Sequence, residues 1–238
     1  MIRTVIETSL VDWDGKISTV LFFDRCNFKC PFCQNWELIL HSEKYPAIPL
    51  EEIVKKLKKK RDWIDGVVLS GGEPLVYRKE VIKIAKVMKG MNFGVKLDTH
   101  GAFPSRLKEL IKENLVDYVA MDIKAPLDDS YYIAAGMKAG KSRSMFLQKI
   151  KESINFLMKG FVGYEFRTTC VPGIIDKDTI KKIGEEIKGA KRWVLQVFIA
   201  DNAYKEEYRH RKFDSLELEN FIKIAQRYVP DTQLRGKK

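Results

Sequence analysis

Cysteine is scarce in this chain, with four in 238 residues, and three of them fall inside the eight-residue stretch Cys26 to Cys33. That usage excludes a secreted disulfide framework, which needs paired cysteines spread along the sequence. Long hydrophobic runs are missing too. No apolar stretch approaches the length of a membrane span, and Met1-Ile2-Arg3-Thr4 lacks a signal-peptide pattern. The expectation is a cytoplasmic protein with no membrane association. Linkers, internal repeats and low-complexity tracts are absent, so residues 1–238 read as one domain, with 1–17 as an N-terminal hairpin extension. A hydrophobic content of 45% can supply a sizeable core.

Acidic residues are the minority charge, 32 against 43 Lys and Arg, which leaves a net +11. Charge alone would invite a nucleic-acid partner. The densest run, Lys55-Lys56-Leu57-Lys58-Lys59-Lys60-Arg61, instead fits the solvated face of a helix with Ile53, Val54 and Leu57 turned inward. No aromatic residues interleave with it as a base-stacking platform requires. Nucleic acid is therefore not expected as a partner. The lysine excess reads as solvated surface of the kind enriched in thermophile proteins, with an acidic patch on a protein partner as the second reading.

What is present is an alternation of strand and helix. Strands are predicted over 19–23, 66–69, 93–97, 117–121, 164–170 and 193–198. They are rich in Val, Ile, Leu and Phe without clean alternation, as in strands buried on both faces of a parallel sheet. Helices are predicted over 50–61, 79–89, 104–113, 144–158, 176–187 and 215–228, with Pro49 and Pro104 near two starts and Gly160 capping an end. The turn signal Asp14-Gly15 places a hairpin before the first of these strands. Six strand–helix units give an α/β fold, an open partial (βα)6 TIM-like barrel with a short N-terminal β extension; a closed barrel has eight.

Chemistry in parallel α/β folds gathers at the carboxyl ends of the strands. Cys26-Asn27-Phe28-Lys29-Cys30-Pro31-Phe32-Cys33 occupies that position after the first strand. Thiolates so crowded point to a shared soft metal centre. Three is one fewer than usually close an iron–sulfur cluster or a structural zinc site, so one iron would stay open to a reacting ligand. Zinc would need a fourth donor from His41, His100, His210 or Cys170, none at finger spacing. After the second strand comes Ser70-Gly71-Gly72-Glu73-Pro74-Leu75, after the third Asp98-Thr99-His100-Gly101, after the fourth Met121-Asp122-Ile123-Lys124. Carboxylates with a lysine beside them suit a zwitterionic amino acid moiety.

Cys-x3-Cys-x2-Cys after a first strand, followed by Gly71-Gly72-Glu73-Pro74 after the second, resembles the radical S-adenosylmethionine (SAM) enzymes over nearly the whole chain. The resemblance implies a [4Fe–4S] cluster held by Cys26, Cys30 and Cys33, with SAM chelating the fourth iron. It implies SAM contacts from Phe32, Gly71, Gly72, Glu73, Asp98, Thr99, Asp122, Lys124, Arg167 and Gln196, and allows a monovalent cation at Asp98, Thr99 and Asp122. His100, where that family often has Asn, and Cys170 receive no role.

The pattern is most similar to the glycyl-radical-enzyme activases. Thr8-Ser9-Leu10-Val11-Asp12-Trp13-Asp14-Gly15-Lys16 together with the cysteine stretch resembles the anaerobic ribonucleoside-triphosphate reductase activating proteins. Trp13-Asp14 and Gln34 depart from their Tyr-Pro and His. This resemblance implies an enzyme that takes hydrogen from a glycine Cα of a partner, anaerobic ribonucleotide reductase, using an electron from flavodoxin or ferredoxin. The alternatives are a pyruvate formate-lyase-type activase, a radical SAM enzyme acting on RNA or a small molecule, and a non-catalytic metal- or RNA-binding module.

Overall fold

The computed structural model describes residues 1–137 and 143–236. The expectation of one domain also spans 138–142 and 237–238, which lie outside the described residues. The order is β1 (Ile2–Ser9), β2 (Ser18–Phe23), α1 (Trp36–Leu40), α2 (Leu50–Lys59), β3 (Gly66–Gly71), α3 (Arg78–Gly90), β4 (Gly94–Thr99), α4 (Pro104–Lys112) and β5 (Tyr118–Asp122). Then follow α5 (Asp129–Ala134), α6 (Arg143–Leu157), β6 (Gly163–Cys170), α7 (Lys177–Glu186), β7 (Trp193–Val197), α8 (Ser215–Ala225) and β8 (Thr232–Arg235).

The strands form one sheet in sequence order, β1 antiparallel to β2 and every later neighbour parallel. Sequential parallel strands with helical crossovers curl into a barrel wall. Among the described residues no pairing joins β1 to β8, so the wall is open on one side. The six predicted strands are β2 to β7. The central ones are buried along most of their length, Val67 to Leu69 and Val119 to Met121 among them, which is why they show no alternation. Among the described residues, no helix is long and apolar enough to cross a membrane.

Helix ends follow local chemistry. Asp176 caps α7 by accepting from the Asp178 and Thr179 amides, and Asp214 forms a capping box with Glu217 ahead of α8. Pro104 opens α4, where a missing N–H costs nothing. On α2, Ile53 and Leu57 face the core while Lys56 and Lys60 pair with Glu7 of β1 at 3.3 and 2.7 Å.

The loop from β1 to β2 floors the barrel at the amino ends of its strands. The buried Trp13 ring lies against Gly66 and Gly94, where a side chain's first carbon would come within 2.7 and 3.1 Å of it. The Asp12 carbonyl accepts from the buried Lys96 ammonium at 2.6 Å, and Asp14 pairs with Arg192 at 3.1 Å and Arg235 at 2.9 Å. The N-terminal loop is thereby clasped to β8.

Candidate active site

The cysteine loop leaves β2 at the carboxyl end and is gripped by the loops that follow β3, β5 and β7. The Gly72 and Glu73 amides donate to the Phe23 and Arg25 carbonyls at 2.8 and 2.7 Å. A side chain on Gly72 would overlap the Arg25 carbonyl, so here glycine serves the close approach of two backbones. The Lys29 amide donates to the Ala135 carbonyl at 2.9 Å, just past α5, and the Lys205 amide to the Pro31 carbonyl at 2.8 Å. Asn35 donates to the Gly71 carbonyl at 2.9 Å and Gln34 to the Ile199 carbonyl at 2.8 Å. The Asp24 carboxylate anchors the loop's entry, taking hydrogen bonds from Tyr77 at 2.5 Å and Arg3 at 2.6 Å.

All three thiols are free and line one cleft of about 410 Å³. Burial pushes each thiol pKa up, that of Cys30 to about 12, although Lys124 opposes it. Such groups become thiolates when a metal binds and deprotonates them. Among the described residues, no three His, Cys, Asp or Glu side chains converge on a single ion position.

Every residue that the sequence assigned to the site faces this cleft except Glu73. The Glu73 carboxylate is fully buried and turned away. It accepts from the Leu75 amide at 3.0 Å, the Thr99 hydroxyl at 2.9 Å and the His100 amide at 2.9 Å. Burial raises its pKa to about 7 against those donors. Its observed part is to tie the Gly-Gly loop to the end of β4. The conspicuous position in the motif follows from backbone geometry, with the side chain serving the interior.

Facing the thiols is a chain of alternating charge. Arg167 of β6 bridges Asp98 at 3.1 Å and Asp122 at 2.8 Å, and Lys124 sits 3.4 Å from Asp122. Burial works against the charged forms, but Arg167 and Lys124 hold the Asp122 pKa down, and Asp122 in turn holds the Lys124 pKa up. The guanidinium thus bridges the two carboxylates, and the Thr99 hydroxyl is committed to Glu73; nothing here supports the monovalent cation expected at Asp98, Thr99 and Asp122. Asp98 Oδ2 also accepts from the Ser70 hydroxyl at 3.0 Å, whereas Asp98 Oδ1 makes no hydrogen bond and lies 3.9 Å from the buried Lys96 ammonium.

Arg167→Lys keeps the charge but loses the two-pronged fit. It is expected to cost roughly 1–2 kcal/mol of stability, read in denaturant unfolding. A ligand that needs Asp98 and Asp122 held apart should bind more weakly in calorimetry. Unchanged stability and affinity would show that the bridge does not organise the cleft.

Some cleft residues carried no assignment: Asp12, Ser70, Asn35, Phe198 and Arg235 also line it. Ser70 and Asn35 flank the motifs and could be found by adjacency. Arg235 could not, because only the fold brings residue 235 beside Glu165, at 2.9 Å.

The radical SAM superfamily model matches residues 20–183, from β2 into α7. A protein of Methanocaldococcus jannaschii with the provisional name glycyl-radical enzyme activating enzyme is 33% identical over 238 residues, 99% of this chain and 95% of its own. The chain belongs to the radical SAM superfamily, within the family of glycyl-radical-enzyme activating enzymes. A pyruvate formate-lyase-activating enzyme of Clostridium pasteurianum is 31% identical over 198 residues, covering 80% of this chain and 77% of that one. Two solved structures share the fold at low identity. TYW1 with a lysine–pyruvate adduct has a TM-score of 0.61 at 15% identity, over 89% of this chain and 74% of its own. QueE from Escherichia coli has a TM-score of 0.57 at 12% identity, over 99% and 93%. Membership of the radical SAM superfamily implies a [4Fe–4S] cluster and SAM. The three-thiol loop, with Asp98, Asp122 and Lys124 in the same cleft, is a donor set that fits both.

Proposed function

We propose that this activating enzyme places a glycyl radical on anaerobic ribonucleoside-triphosphate reductase. Cys26, Cys30 and Cys33 hold the cluster. Asp98 accepts from the SAM ammonium, while Lys124, kept charged by Asp122, faces its carboxylate. Gly71 and Gly72 give backbone contacts, and Phe32 and Gln196 flank the adenosyl part. When bound, the cofactors supply reductive cleavage of the sulfonium to methionine and a 5′-deoxyadenosyl radical that takes the glycine hydrogen. The observation that carries this reading is the three-thiol loop lining one cleft with Asp98, Asp122 and Lys124.

The residues around the cleft bind, orient and exclude water. Phe28, Cys30 and Phe32 bury the thiol side of the cleft, which keeps a carbon radical away from solvent protons and donors. The unpaired side between β1 and β8 admits a loop of a partner protein. Flavodoxin or ferredoxin supplies the electron, the chain acts as one cytoplasmic domain, and nucleic acid takes no part.

The test is anaerobic mixing with SAM, a one-electron reductant and either partner, followed by electron paramagnetic resonance. A glycine-centred doublet on the reductase supports the proposal. A doublet on pyruvate formate-lyase alone transfers it to the second reading, which the 31% identity to the Clostridium pasteurianum enzyme favours. No doublet with any glycyl-radical protein of the same genome would overturn both.

A further inference from the structure

We infer that His100 is a positioning residue for the cysteine loop: with Glu73 behind it, its ring holds Asn27 and Phe28 so that Cys26 and Cys30 are presented to the cleft. The inference rests on the proposed role of those cysteines and adds a residue that the motifs leave without a task.

The contacts converge on this. His100 is buried at the end of β4, with its ring stacked on Phe28, centroids 3.7 Å apart and planes 7° from parallel. Phe103 covers it at 6.0 Å. Nδ1 accepts from the Ala102 amide at 3.2 Å, so the ring proton is on Nε2. Nε2–H donates to Asn27 Oδ1 at 2.8 Å and lies 3.3 Å from Glu73 Oε2. Burial holds the imidazole pKa down to about 3, so the ring is neutral and the geometry needs no positive charge.

Both ring nitrogens are therefore committed, one accepting and one donating, and neither offers a lone pair to a metal. That removes His100 as a fourth zinc ligand. It also separates the ring from a merely space-filling core histidine, because it grips a stretch of only three residues at two points. Asn27 is held by a hydrogen bond and Phe28 by stacking, and the cysteines on either side take their direction from that grip. Glu73 completes the unit. It binds the His100 amide and stands beside Nε2, so the loops after β2, β3 and β4 are tied together at this point.

The experiment compares wild type, His100→Asn and His100→Gln as full-length, cluster-loaded protein. An asparagine can accept from Ala102 but is too short to reach Asn27, and it gives up most of the stack. A glutamine places its amide near the Nε2 position and keeps the donor. Bleaching of the cluster by EDTA under nitrogen should be roughly tenfold faster in His100→Asn, the cost of a buried hydrogen bond and its stack, and partly restored in His100→Gln.

The second readout is alkylation of the cluster-stripped chain with iodoacetamide, resolved by mass spectrometry. Cys26 and Cys30 should become more reactive in His100→Asn while Cys170, buried in β6, stays at its wild-type rate. Wild-type bleaching and alkylation rates in His100→Asn would overturn the inference, as would a parallel rise at all four cysteines, which marks general loosening. Should the wild-type chain load no cluster, the proposed function falls, while the alkylation pattern still decides whether His100 orders the loop.

Discussion

Cys30→Ala is expected to abolish cluster binding: iron falls from about four per chain to near zero, and reductive formation of 5′-deoxyadenosine disappears with it. The argument is one of redundancy. Cys30 is the most deeply buried of the three cleft thiols, and its removal leaves two donors where three already fall short of a full set. The fourth cysteine cannot replace it. Cys170 is buried in β6, does not line the cleft, and has its sulfur 4.0 Å from the Thr168 carbonyl. Cys170→Ala is therefore the control, with cluster content unchanged. Iron, sulfide and product are measured on anaerobically purified protein, alongside thermal unfolding to show that both variants fold. Full iron content or deoxyadenosine formation in Cys30→Ala would end the assignment of this loop as the ligand set.

Buried strands were legible where short, continuous apolar runs bounded by turn residues suit a strand covered from both sides, as in β2 and β3. The strand β8 was not, since Thr232-Gln233-Leu234-Arg235 is short, has one apolar residue in four, and is recruited by β7. The helix α5, six residues long, shows no period to detect. At the site, residue type was readable where position along a strand determines direction, as for Asp98, Asp122 and Arg167. It says less at Glu73, where a tight turn decides which way the side chain faces, and the buried amides of Leu75 and His100 hold the carboxylate inward. The bridge from Asp122 to Asp98 is made by Arg167, a residue 45 positions beyond Asp122 in sequence and 2.8 Å away in space. No spacing rule carries that contact.

Gly136→Ala is expected to disable the site through the backbone, from a position no motif marks. Gly136 follows α5 with φ at +63°, a conformation that side chains rarely adopt, and a methyl group there would overlap the Lys29 carbonyl and crowd the Cys30 amide. Two costs are therefore combined, and a second glycine separates them. Gly189 has φ at +83° with nothing within 4 Å of where its methyl would go. Gly189→Ala should cost only the backbone strain, about 1 kcal/mol. Gly136→Ala should cost that plus displacement of rigid backbone, roughly 3 kcal/mol in all, because a carbonyl cannot swing aside as a flexible side chain can. The extra penalty falls on the segment that carries Cys30, since the Lys29 amide is bonded to Ala135 and the two loops cannot part without losing that bond. Cluster content after anaerobic reconstitution should drop severalfold in Gly136→Ala and stay near wild type in Gly189→Ala, with denaturant unfolding giving the stability difference. Equal behaviour of the two variants would mean that the α5 turn does not brace the cysteine loop.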